Sequence, residues 1–211
     1  MQSGEKAGGR VDTASGLRAG LKAVRAQMTV AERKAADMRL ADRLRSWVDH
    51  WLVRRIAAGH DRHVLAAFWP IGAEPDLRGL LAEWAGRSGM LLALPIVEQR
   101  AAPLAFRQWT PATPMLAGDF GIPEPQGLLT LLPDVVLVPL LGFTDDADRI
   151  GYGGGFYDRT LAALRDRGHA ATAIGVAYAC CRLAPDAHRP EAHDVRLHAV
   201  VHEKGWVPAE P

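Results

Sequence analysis

Apolar positions recur along this chain in two periods. Leu17, Leu21, Val24 and Met28 keep helical spacing, and Thr29-Val-Ala-Glu32 behind them reads as a capping box that opens a second helix. Ala36, Leu40, Leu44, Trp47, Val48 and Trp51 share one face of that helix and are assigned to the core. Short apolar runs at residues 63–69, 90–97 and 104–109 each predict a strand. Between the first two, Asp76 can cap a helix that turns Leu77, Leu80, Leu81 and Trp84 inward and ends at Gly89. Residues 110–133 are proline-rich and read as a long irregular surface loop, a length that in a compact domain usually carries function. A buried strand over 134–141, a helix over 156–167 with Leu161 and Leu164 on one face, and strands near 171–179 and 197–202 complete the pattern. Strands alternating with helices predict one α/β domain, a mainly parallel sheet covered on both faces. Ligands of such sheets bind at the carboxyl ends of the strands. Residues 1–13 are glycine-rich and patternless, so the expected division is a disordered tail at 1–13, a domain at 14–205 and a second tail at 206–211.

Composition narrows the class. A chain of 211 residues and 22.8 kDa suits a single domain with a substantial core. A formal net charge of +1 supplies no long-range field for a polyanion, so neither nucleic acid nor membrane is expected as a partner. No apolar run reaches the ~18–20 residues of a span, and the first ten residues lack the apolar core of a signal peptide, so the cytoplasm is expected; a monomer is expected separately, and nothing in the sequence fixes the oligomeric state. Cys180 and Cys181 are sequence neighbours, which seldom form a disulfide and cannot by themselves complete a tetrahedral zinc site. Both are read as buried structural thiols. His188, His193, His198 and His202 invite a zinc reading, but a loop running into a strand does not converge such spacing on one point.

The chemistry concentrates in residues 142–158. There the run Arg149-Ile-Gly-Tyr-Gly-Gly-Gly-Phe-Tyr-Asp158 joins the predicted strand to the predicted helix. Glycine-rich backbone at a helix N-terminus offers bare N–H groups to an anion. Arg149 before the glycines can grip a phosphate, and Asp158 after them can hold Mg²⁺, the pair a triphosphate requires. A tight strand-to-helix connection would use the same glycines. The string is neither a Walker A loop nor a dinucleotide fingerprint.

Taken with Pro139-Leu-Leu-Gly-Phe143, this string resembles the signature of the 5-formyltetrahydrofolate cyclo-ligase family. Further matching blocks are Leu17-Arg18, Phe68-Trp-Pro-Ile-Gly-Ala-Glu-Pro-Asp76, Gly118-Asp-Phe-Gly-Ile-Pro-Glu-Pro125, Ile174-Gly-Val-Ala-Tyr178 and His193-Asp194, in the family's order. The resemblance implies a three-layer Rossmann-like domain of the NagB/RpiA/CoA-transferase kind. It implies ATP- and Mg²⁺-driven closure of 5-formyltetrahydrofolate, with or without a polyglutamate tail, to 5,10-methenyltetrahydrofolate. It assigns catalysis to Arg149 and Asp158, and the metal to Asp158 and Asp194. The nucleotide falls to Arg18, Arg149, Ile150, Gly151, Tyr152, Gly153, Gly154, Gly155, Phe156 and Tyr157. The folate falls to Arg18, Trp69, Glu74, Tyr152, Phe156 and Trp109, with Phe120 in a turn that could close over it. Two positions depart from the resemblance: Ala14 stands where many members have a basic residue, and His198 where many have a second aspartate. Lys22 or Arg25, further along the same helix as Arg18, could compensate. Two other functions remain open: a paralogue using ATP on a different formamide or carboxylate, and a folate- or nucleotide-binding module without catalysis.

Overall fold

A computed structural model describes residues 9–185 and 187–211, with side chains from residue 14 onward. Helices α1 (Gly9–Ala26) and α2 (Val30–Ala57) lead into β1 (His63–Ala66), α3 (Arg78–Ala85) and the antiparallel pair β2 (Met90–Ile96) and β3 (Ala105–Trp109). A two-stranded ribbon of β4 (Met115–Ala117) and β5 (Pro123–Pro125) precedes β6 (Val135–Pro139). A second ribbon, β7 (Gly142–Phe143) with β8 (Arg149–Ile150), delivers the chain to α4 (Phe156–Asp166). Strands β9 (Thr172–Val176), β10 (Ala199–His202) and β11 (Gly205–Val207) finish a seven-stranded sheet of order β11-β10-β9-β6-β1-β2-β3. Its five central strands are parallel, and both edge strands pair antiparallel.

The layering follows from alternation along β6. Val135 and Leu137 face the cluster built by α2 and α3, which holds Leu40, Leu44, Trp47 and Trp84. Val136 and Val138 face the opposite cluster, where Leu21 of α1 and Leu161 and Leu164 of α4 pack. A strand covered on both faces has no polar side to show, which is why its sequence is uniformly apolar. Helix α2 starts where its capping box places it, with Glu32 N–H 3.2 Å from Thr29 Oγ1 and Thr29 N–H 2.7 Å from Glu32 Oε2. Helix α1 approaches the sheet through Gly142, where any Cβ would come within 2.7 Å of Leu21 Cδ1. Leu21 and Arg25 are the buried positions of α1 among the described side chains, and Val24, expected on the apolar face, is 39% exposed.

Several expected boundaries move. Residues 1–8 lie outside the described residues, but backbone assigned to the tail is helical from Gly9. The C-terminal tail is part of the sheet: Val207 pairs with Val200, and Trp47 Nε1 donates to the Pro211 carbonyl at 2.8 Å. Helix α3 stops at Ala85, short of Gly89, and Asp76 supports its first turn by accepting from Arg78 N–H at 3.0 Å. The proline-rich stretch is no featureless loop, because β4 and β5 form within it, and Gln108 N–H donates to Leu129 O at 2.8 Å. Strand β1 ends at Ala66, so Trp69 lies beyond it. No helix among the described residues is long and apolar enough to cross a membrane.

Candidate functional site

Parallel β1, β6 and β9 are neighbours in the sheet, so the segments leaving their carboxyl ends meet. The segment after β1 carries Trp69 and Glu74. The one after β6 passes through the β7–β8 ribbon into the glycine loop and α4. The one after β9 forms a short 3₁₀ turn, Ala179–Cys181, packed against α1.

In the glycine loop, Gly153 and Gly155 have φ of +94° and +63°, values that disfavour any side chain. Gly155 is the residue preceding α4, so the first N–H groups of that helix open toward the loop. One face of α1 lies over it. Arg18, Lys22 and Arg25 follow i, i+4, i+7 spacing and so share that face. Arg18 Nε donates to Gly151 O at 3.0 Å, Lys22 Nζ lies 5.6 Å from the Tyr152 ring centroid, and Arg25 NH2 donates to Tyr152 Oη at 2.9 Å. Lys22 and Arg25, considered as compensators for Ala14, therefore do face the loop, and Ala14 itself is exposed. Arg25 is 6% exposed, and its NH1 has no hydrogen-bond partner among the described residues. A buried guanidinium nitrogen left free in this position suits an anionic or carbonyl oxygen of a ligand.

Tyr152 links this face to Glu74. Its hydroxyl donates to Glu74 Oε1, and Ile71 N–H donates to Oε2 at 2.8 Å. Glu74 is 6% exposed, and burial pushes its carboxyl above the ordinary range despite the two donors and the Arg25 charge. Burial likewise raises the hydroxyls of Tyr152 and Tyr157, with the Glu74 charge as the second cause for each. A second cluster holds Arg149 and Asp158. Arg149, its side chain 6% exposed, donates to Val195 O and to Asp158 Oδ1, and Val195 N–H reaches the same oxygen at 3.1 Å. Asp194 precedes Val195, whose backbone reaches this end of α4. Its Oδ2 also accepts from Glu191 N–H at 2.8 Å, closing a turn.

The remaining aromatic positions divide. Phe156 meets Phe120 edge-on at 5.8 Å between centroids, with the Arg159 guanidinium 5.1 Å from the Phe156 ring, so the 118–125 turn does reach the start of α4. Trp69 meets Trp109 edge-on at 6.2 Å, but Trp109 is only 5% exposed and belongs to the core. It can serve as a wall behind Trp69 more readily than as a ligand contact. Ile150 is also buried, leaving only its backbone to face a ligand. The acids beside Arg149 in sequence pair elsewhere, Asp148 with Arg196 and Asp145 with Arg182. Cys181 is buried as expected and Cys180 is not, because successive side chains of a 3₁₀ turn diverge by about 120°. Sequence reasoning missed the brace beneath the site, in which Tyr178 Oη donates to Asp37 Oδ1 at 2.7 Å and Asp76 N–H reaches the same oxygen at 3.2 Å.

The profile of the 5-formyltetrahydrofolate cyclo-ligase family matches residues 10–203, which takes in α1, the glycine loop and Asp194 alike. The chain belongs to that family of enzymes. The 5-formyltetrahydrofolate cyclo-ligase of Mycolicibacterium smegmatis is 31% identical over 179 residues, 79% of this chain and 84% of the relative. That of Haemophilus influenzae is 39% identical over 82 residues, spanning 36% of this chain and less than half, 43%, of that protein. The solution structure of Aquifex aeolicus 5,10-methenyltetrahydrofolate synthetase superposes with a TM-score of 0.72 at 26% identity, covering 92% of this chain and 91% of the other. The Mycoplasma pneumoniae 5,10-methenyltetrahydrofolate synthetase, at 20% identity and TM-score 0.62 over 90% and 98% of the two chains, is a likeness of fold alone. At the second departure from the family's resemblance, His198 is exposed and its Nδ1 accepts from Ala173 N–H at 3.0 Å, a structural role between strands.

The state of Glu74 gives a pH signature. Its raised folded value means the folded protein holds the proton more tightly than the unfolded chain. That stabilisation is complete below the ordinary carboxylate range and is lost as pH rises through the folded value. Glu74→Gln keeps an acceptor for Ile71 N–H and removes the buried charge. The unligated variant should therefore melt a few degrees above the parent at neutral pH, since about 1 kcal/mol moves a domain of this size by roughly 2–4 °C. The gap should close as pH falls toward ~4.3. Calorimetry across pH checks this, and a pH-independent gap would show that Glu74 does not titrate as a buried group.

Proposed function

We propose that this protein closes 5-formyltetrahydrofolate to 5,10-methenyltetrahydrofolate at the expense of ATP, in the cytoplasm. The observation that carries the reading is the cationic face of α1, Arg18, Lys22 and Arg25, laid over a glycine loop that ends in the Arg149–Asp158 pair. Phosphate oxygens can be met there by guanidinium groups, backbone N–H groups and the α4 N-terminus together.

The reaction needs such a place. A formamide oxygen is a poor leaving group, so the formyl oxygen first takes the γ-phosphoryl group and ADP departs. N10 of the folate then attacks the formyl carbon, and phosphate leaves with that oxygen as the ring closes. Nothing in this sequence calls for a protein nucleophile. In this reading Arg149 meets charge on the transferring phosphoryl group, and its anchoring to Val195 O and Asp158 fixes its orientation. Glu74 offers carboxylate oxygens to the N–H donors of a pterin, with Tyr152 and Arg25 holding it in place. Trp69 and Phe156 supply aromatic faces for the rings.

The donor set also fits Mg²⁺ brought in on a triphosphate. Among the described residues no three His, Cys, Asp or Glu side chains gather into a cage, and Mg²⁺ bound with nucleotide needs only one or two carboxylates beside phosphate oxygens and water. Both hydrogen bonds to Asp158 among the described residues fall on Oδ1, leaving Oδ2 for a cation, and in this reading Asp194, which precedes Val195, supplies the second carboxylate. When bound, the ion would neutralise charge developing on the phosphate oxygens.

Incubation of the purified protein with 5-formyltetrahydrofolate and Mg·ATP, followed by methenyltetrahydrofolate absorbance and by phosphate release, tests the reading. One phosphate per methenyl product is the expected result. ATP turnover only with another formamide or carboxylate would point to the paralogue, and folate binding without turnover to a sequestering module.

A further inference from the structure

Where the 3₁₀ turn packs against the C-terminal end of α1, Cys180 brings its sulfur close to two others. Cys180 Sγ lies 3.7 Å from Met28 Sδ and 4.0 Å from Cys181 Sγ. The arrangement is held by backbone on both sides. Met28 bridges α1 to the capped start of α2, and Arg33 NH1 grips its carbonyl at 2.9 Å. The cysteines occupy the 3₁₀ turn, where Cys181 N–H donates to Tyr178 O at 2.9 Å. Cys181 is buried and Cys180 exposed, so the cluster has a closed floor and an open mouth.

We propose that Cys180, Cys181 and Met28 form a binding site for a soft monovalent cation, Cu(I) above all. With metal–sulfur bonds of about 2.3 Å, three ligands in a trigonal plane stand about 4.0 Å apart and a tetrahedral set about 3.8 Å apart. The two separations that Cys180 makes, 3.7 Å to Met28 and 4.0 Å to Cys181, match these values. Thiolate and thioether ligands select a soft ion, and the thioether in particular disfavours Mg²⁺ and Zn²⁺. Zn²⁺ also requires a fourth ligand, whereas Cu(I) is satisfied by three. Adjacent cysteines, poorly placed for a disulfide, carry no such handicap when an ion stands between their sulfurs.

The reduced full-length protein, titrated with Cu(I) against a bathocuproine-type chelator, should retain one copper per chain and develop a thiolate-to-copper charge-transfer band. X-ray absorption should count three sulfur neighbours in the parent and two in Met28→Leu. Cys180→Ser should weaken binding by more than about 100-fold and Met28→Leu by about tenfold, since even the outer partners of metal ligands cost roughly 10–100-fold when removed. Cys180 is exposed on its turn and Met28→Leu is close to isosteric, so circular dichroism of the copper-free variants should match the parent. Failure to retain copper against the chelator, a two-sulfur site in the parent, or unchanged affinity in Met28→Leu would each overturn the proposal. The readout is copper itself, so the result stands apart from whether the protein cyclises folate.

Discussion

Replacing Arg149 by lysine is expected to lower kcat for folate cyclisation by about 10²–10³-fold, the range seen when one donor aimed at transition-state charge is removed. The substitution keeps the charge and removes the geometry. Arg149 uses two nitrogens at once, NH1 on the Val195 carbonyl and NH2 on Asp158 Oδ1, in a setting where its side chain is 6% exposed. An ammonium is a point donor and cannot span both while presenting a planar edge to a phosphoryl group. Either the carbonyl or the carboxylate then loses its partner, so some loss of Tm accompanies the loss of rate. The two effects are separable. If Arg149 only braces the segment around Val195, the fraction of Arg149→Lys that remains folded should turn over at the parental rate. A kcat near the parent's, measured well below the variant's Tm, would remove Arg149 from the chemistry.

What could be read from the sequence was whatever local chemistry decides alone. The capping box of α2 needs only Thr29 and Glu32, three positions apart, whose mutual bonds do not depend on the rest of the fold. The run over β6 is apolar because both its faces are covered. The glycine loop is legible for the same reason, since φ values of +94° and +63° at Gly153 and Gly155 tolerate little else.

The misses share the opposite property. The β4–β5 ribbon was hidden because Pro123 and Pro125 argue against a strand, yet a two-stranded ribbon with a free edge leaves room for residues that lack an N–H. β11 is three residues long and carries no periodicity of its own; only its pairing with β10 makes it a strand. Arg25 shows the same limit within the site. Its neighbours in sequence are those of a solvated helix charge, and it becomes a buried partner of Tyr152 only because α1 packs against the glycine loop and the 3₁₀ turn. Cys180 errs in the other direction, since burial of its neighbour says nothing about its own side of the turn.

The second large effect is expected at Asp158, where Asp158→Asn should cut kcat by roughly the same 10²–10³-fold as loss of a charge-stabilising group elsewhere. Two roles compete for this carboxylate, and they predict opposite things for the nucleotide. As a counterion, Asp158 neutralises Arg149, with side chains 6% and 20% exposed. Its loss would leave a largely buried cation unpaired, which destabilises the free protein, and ATP would then bind more tightly because the triphosphate supplies the missing charge. As a metal carboxylate, Asp158 helps hold Mg²⁺ on that triphosphate. Its loss would raise the Mg²⁺ concentration needed for half-maximal rate and depress kcat even when ATP is saturating. Asparagine retains Oδ1 as acceptor for Val195 N–H, 3.1 Å away in the parent, so the local fold persists while the charge is withdrawn. The expected result is a lower kcat with a raised Mg²⁺ requirement, together with a modest loss of Tm. Tighter ATP binding with kcat and Mg²⁺ dependence unchanged would reduce Asp158 to the counterion of Arg149. In that case Arg149→Lys and Asp158→Asn combined should cost no more than the worse single change, because two residues acting only through each other are not additive.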